Sequence, residues 1–150
     1  MPRNLTPPSA FPLAIKLARA VVADTMKQQQ AEQALLDAYP KVSPRAASGY
    51  IGNYIAMRRG AKGVATTIAA GAWKLYLQDI SQEGAGPLFI ALGAFQDHIR
   101  YIKGKAKSTE PSLRRVHDEF VEVLKGMAAH EDVAENLDAA IQNSLRSSPR

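Results

Sequence analysis

Apolar residues recur at spacings of three and four along almost the whole chain, and proline and glycine gather between those stretches. That period lines side chains along one face of an α-helix, whereas a strand needs alternation at every second residue. No stretch reads as a strand. With many Ala and Leu, and 46% hydrophobic residues overall, the chain is expected to be all-α, a single-domain bundle of about six or seven helices. Its 150 residues suffice to bury about two-thirds of the unfolded surface without disulfides or metals.

The clearest local signal is Ser43-Pro44. Serine offers its oxygen to the free N–H groups of a first turn, and proline at the first helical position sacrifices no hydrogen bond. Gly60 then supplies the left-handed conformation that ends a helix. Before this helix lie FPLAIKLARAVVADTM, starting near Ser9 with Leu13, Leu17, Ala20, Val21 and Ala23 inward, and KQQQAEQALLDA, stopped at Tyr39-Pro40 because a residue preceding proline is pushed out of the α region. Whether these two are one bent helix is open. After it come VATTIAAGAWKLYLQDIS, PLFIALGAFQDHIRYIK, LRRVHDEFVEVLKG ending at Gly126, and a seventh helix from about His130 to Leu145. The expected organisation is a disordered N-terminus over 1–8, a helical domain over 9–145, and a tail or linker start over 146–150.

The net charge of +5 is unevenly spread. Residues 41–62 hold Lys41, Arg45, Arg58, Arg59 and Lys62 with no acid, and residues 100–115 hold Arg100, Lys103, Lys105, Lys107, Arg114 and Arg115 against Glu110. From Val116 to Asn143 the balance reverses, with Asp118, Glu119, Glu122, Glu131, Asp132, Glu135 and Asp138 against Lys125. Such asymmetry points to a polyanion partner, although any one run reads equally well as a solvated helix face.

Several function classes lose support. There is no cysteine, hence no disulfide, thiol nucleophile or thiolate metal site, which fits a reducing, cytoplasmic setting. No apolar run approaches the ~18 residues that span a bilayer, and MPRNLTPPS lacks the features of a signal peptide. His98, His117 and His130 fall on different helices with no second ligand at helical spacing, so neither a metal nor a cofactor is expected. His98, between Asp97 and Arg100, is expected at the rim of its helix, solvated or touching phosphate. Asp97, Asp118 and Glu119 read as surface ion-pair formers, and Gly60-Ala61-Lys62-Gly63 lacks the pattern of a phosphate loop. The aromatics Tyr50, Tyr54, Trp73, Tyr76, Phe95, Tyr101 and Phe120 read mostly as core, with base stacking the lesser alternative.

Residues 31–59 have the layout of a helix-turn-helix-like unit. In its second helix Ala47, Tyr50 or Ile51, Tyr54 and Ile55 form an inward stripe, which puts Arg45, Ser48, Gly49, Gly52, Asn53 and Arg59 on the opposite face. Glycine costs about 1 kcal/mol relative to alanine in a helix interior, so Gly49 and Gly52 ask for a close approach. A neighbouring helix of the same domain, a DNA groove and a protein partner each supply one. On the DNA reading Arg45 and Asn53 contact bases, while Lys41, Arg58 and Lys62 contact phosphates. Arg59, Ser48, Arg100, Lys103, Lys105 and Lys107 complete the expected DNA-binding set.

The succession YIGNYIAMRRG, an alanine-rich helix with WKLYLQDI, PLFIALGAFQDHIRYIKG, LRRVHDEF and AIQNSLRSSPR resembles the N-terminal helical region of bacterial HNH restriction endonucleases, over about residues 35 to 150. The resemblance implies a module that engages double-stranded DNA or senses its modification, followed by a linker near RSSPR and a C-terminal or separate nuclease domain. The metal-bound histidine-asparagine-histidine core of such nucleases, often steadied by cysteine pairs, has no counterpart in this chain. The expectation is therefore a DNA-binding module without catalysis of its own; a protein-interaction or homodimerisation module is the alternative.

Overall fold

A computed structural model of the chain describes residues 6–61, 66–103 and 109–147, with side-chain surroundings as far as His130. Among the described residues six helices form an all-α bundle: α1 (Ala10–Val22), α2 (Gln28–Ala38), α3 (Pro44–Arg59), α4 (Ala70–Ser81), α5 (Ala85–Ile102) and α6 (Glu110–Ser147). None of the helices among the described residues is long and apolar enough to cross a membrane.

The signals that bound α3 act as the sequence implies. Ser43 Oγ accepts from Ala46 N at 3.1 Å, Pro44 opens the helix, and Gly60 closes it at φ 65°. The first two helices are separate. Asp24 takes φ 60°, and Thr25 N reaches back to Ala20 O at 2.9 Å, which satisfies an end carbonyl of α1 and turns the chain. Gln30 Oε1 then accepts from Lys27 N at 3.0 Å at the start of α2.

Two expected boundaries are corrected. The fourth helix begins at Ala70, six residues later than Val64, because Thr66 and Thr67 direct their polar groups to other helices instead of into a first turn. The expected sixth and seventh helices are one. Gly126 keeps a helical backbone within α6, where nothing would meet an added Cβ within 4 Å. A lone glycine costs a helix about 1 kcal/mol, and Leu124 and Met127 beside it pack against the core. The helix runs on.

Side-chain contacts orient the bundle. Phe11 stacks on Tyr50 at 5.4 Å and Arg19 reaches Tyr54, so α1 and α3 run the same way; Tyr39 Oη donates to Ser9 O at 2.9 Å, so α2 runs back between them. Tyr76 Oη donates to Tyr50 O at 3.0 Å, and Tyr54 meets Tyr76 edge-on at 5.3 Å, aligning α4 with α3. Trp73 stacks on Phe95 at 4.6 Å, and Phe95 lies 5.9 Å from His117, which packs α5 against both α4 and α6. The two groups of three helices meet chiefly through α3 and α5. Consequently α3 is enclosed, with every residue from Gly49 to Met57 buried.

Candidate nucleic-acid interface

The segment 66–69 crosses between α3 and α5 as an extended strap, and the residues beneath it are built to receive it. A Cβ on Gly49 would stand 3.1 Å from Thr66 Cγ2 and 3.4 Å from Ile68 Cγ2, so glycine is what lets the strap lie this close. Asn53 Nδ2 donates to Thr66 O at 2.9 Å, and Arg45 Nε donates to Thr66 Oγ1 at 3.2 Å. Ala69 N donates to Tyr50 Oη at 3.4 Å, Ile68 is buried, and His98 Nε2 lies 3.0 Å from Thr67 Oγ1.

This arrangement corrects the expected DNA face of α3. Asn53 is 1% exposed and hydrogen-bonded to the strap, Gly49 and Gly52 are buried, and Ser48 is half-buried. They cannot enter a groove. The expected inward stripe of Ala47, Tyr50, Ile51, Tyr54 and Ile55 is buried, but α3 is packed on its other side too, so its small and amide residues serve a second internal contact. The close approach that Gly49 required comes from the protein's own strap. His98 is also corrected: it is 6% exposed, its ring 4.8 Å from that of Trp73, and burial lowers its pKa below the usual histidine value. His117, half-buried, is lowered by burial too, partly opposed by Asp118.

Arg58 is likewise committed internally. It pairs with Glu83, which also approaches Arg19 at 3.8 Å. Arg19 Nε donates to Asp79 Oδ2 at 3.1 Å and to Tyr54 Oη at 3.3 Å, and Tyr54 Oη donates to Asp79 Oδ2 at 2.5 Å. Burial, reinforced by the bond to Asp79, pushes the Tyr54 hydroxyl up to about 12. These groups tie α1, α3 and α4 together near their C-terminal ends. Arg59 is exposed at this same end, where it borders an open cleft of about 500 Å³ with Asp24, Thr25, Lys27 and Gln28.

The other described cations of the expected set lie at the opposite end. Ile90, early in α5, approaches Gly60 at the end of α3, while the strap joins Arg45 and Tyr50 in the first half of α3 to His98 in the second half of α5. The two helices are therefore antiparallel, and the start of α3 lies at the same end of the bundle as the finish of α5 and the start of α6. Lys41 and Arg45 come from the first, Arg100 and Lys103 from the second. Arg114 and Arg115, which sequence reasoning counted as basic but did not choose, come from the third. All six are exposed.

Among them Arg100 is 3.7 Å from Asp97 and Arg114 is 2.7 Å from Glu110. Lys41, Arg45, Lys103 and Arg115 have no acidic partner among the described residues. The free N–H groups at the start of α3 add partial positive charge there. Lys62, Lys105 and Lys107 lie outside the described residues. No family model matches the chain, and neither the curated proteins nor the solved structures give a match.

Proposed function

We propose that the chain is a DNA-binding module that seats the phosphate backbone of double-stranded DNA on the basic end formed by the starts of α3 and α6 and the finish of α5. The observation that carries this reading is that Lys41, Arg45, Lys103 and Arg115, in or beside the start of α3, the finish of α5 and the start of α6, are exposed and have no acidic partner among the described residues. A phosphate backbone is the ligand that rewards spaced positive charge without demanding an enclosed pocket. The enclosure of α3 argues against base reading by Asn53, so the affinity is mainly electrostatic. Delivery of a separate HNH nuclease, with no chemical step performed by this chain, rests on the family resemblance alone.

Fluorescence anisotropy with a short labelled duplex tests the reading. For four phosphate contacts, affinity falls about a hundredfold between 50 and 200 mM salt. The combined variant Lys41→Ala, Arg45→Ala, Lys103→Ala is expected to lose most of that dependence, while Arg58→Ala, whose partner is Glu83, binds as the native chain does. Equal binding by the triple variant would contradict the assignment.

A protein-contact role has one observation in its favour. Phe89 and Ile90 are 69% and 45% exposed on the first turns of α5, at the end opposite the cations. Concentration-dependent mass in light scattering, abolished by Phe89→Ser, would favour this second reading.

A further inference from the structure

We propose that the 66–69 strap is an acid-released latch on the basic end, with His98 as its pH-sensing contact. As a means of regulating DNA binding the latch rests on the reading above; as a movement of the strap it stands independently of it.

The strap lies outside the helices apart from Ala69, which caps α4 by accepting at its carbonyl from Ala72 N and Trp73 N. It is held by the contacts from Asn53, Arg45 and Tyr50, the burial of Ile68, and the 3.0 Å contact between His98 and Thr67. Only the last involves a side chain that ordinarily changes charge between pH 5 and 8. A neutral imidazole suits this seat, because a threonine hydroxyl serves as donor or acceptor.

Protonation puts a full charge where little receives it. From α4 the ring of Trp73 faces His98 at 4.8 Å, and from the strap the Thr67 hydroxyl does. On its own helix Phe95 stacks on the same Trp73 and packs against His117 of α6, and His117 too is held back from protonation. Earlier on α6 the charges of Glu110 and Arg114 are spent on each other at 2.7 Å. Burial is the whole cause of the His98 shift, with no contribution from a carboxylate. A buried unpaired cation is costly, and the strap carries the hydroxyl in direct contact with the ring.

The sign follows from the lowered value. Above pH 6.5 the histidine is neutral whether the seat is closed or open, and the latch holds. As pH falls below 6.5 toward the lower value of the closed state, the open state takes up the proton first and opening becomes progressively more favourable. Opening also releases the Arg45 guanidinium from Thr66, so the latch and the basic end are mechanically joined.

Nuclear magnetic resonance on the full chain between pH 7.5 and 5 tests this directly. The His98 ring, the indole of Trp73, the sole tryptophan, and the amides of residues 66–69 are expected to shift with one midpoint below 6.5. Amide exchange at Ile68 and Ala69 should rise at least tenfold beyond that of α4. His98→Gln is expected to abolish the strap transition and His117→Gln to leave its midpoint in place. Titration of His98 without movement of the strap amides in the native chain would overturn the latch without recourse to any variant, as would an unchanged transition in His98→Gln. Absence of duplex binding at every pH, with strap opening intact, would overturn the basic-end reading and leave the latch standing.

Discussion

Replacing Asn53 by Ala leaves the Thr66 carbonyl without its side-chain donor and opens space under the strap. A broken buried hydrogen bond costs about 1–3 kcal/mol, so the urea midpoint should fall accordingly while the folded protein binds duplex DNA with no loss of affinity. A large loss of affinity at unchanged stability would restore the base-reading role that the 1% exposure of Asn53 argues against. Tyr54 gives a second residue-level expectation. Its hydroxyl is raised from 10.0 to about 12, so the stabilisation it carries is complete below pH 10 and is lost as pH rises through 12. Alkaline unfolding of Tyr54→Phe should therefore be shallower than that of the native chain in this window. The residues at the ends of α3 were legible because capping is local chemistry: Ser43, Pro44 and Gly60 act on atoms within four positions. Asn53 and Gly49 were not, because their partners Thr66 and Ile68 lie in a segment with no period to mark it.

At the scale of elements, the helices were readable wherever a polar face set off the apolar one, as in α1, α2 and α5. Two departures have the same origin. Helical period alone could not tell that Thr66 and Thr67 would be withdrawn from α4 to bind α3 and α5, nor that the enclosed α3 would use both of its faces. Gly126 misled in the opposite direction, since glycine marks a helix end only where the chain takes the left-handed conformation, as Gly60 does at φ 65°. Because Gly126 lies inside α6 with open space around it, Gly126→Ala should stabilise the chain by about 0.5–1 kcal/mol. Thermal unfolding followed by circular dichroism reads the change; a destabilisation would mean that α6 breaks there. By contrast, Gly60→Ala should destabilise, since an added Cβ would meet Ile90 Cγ2 at 2.9 Å in a left-handed backbone.

At the scale of the whole molecule, the sequence shows two basic runs separated by more than thirty residues, and composition alone leaves them as solvated faces. Their meaning depends on topology. The antiparallel course of α3 and α5 brings Lys41 and Arg45 to the end that carries Arg100, Lys103, Arg114 and Arg115, and sends Arg58 and Arg59 to the opposite end beside Asp79, Glu83 and Asp24. One continuous basic stretch thus divides between the two ends of the bundle, a division no charge count would give. The direct measurement is an amide chemical-shift map of the chain titrated with a short DNA duplex at low salt. Perturbations confined to the first turn of α3, the strap, the last turn of α5 and the first turns of α6, fading as salt is raised, are the predicted result. Perturbations centred instead on the first turns of α5 around Phe89 and Ile90, or none at saturating duplex, would contradict it.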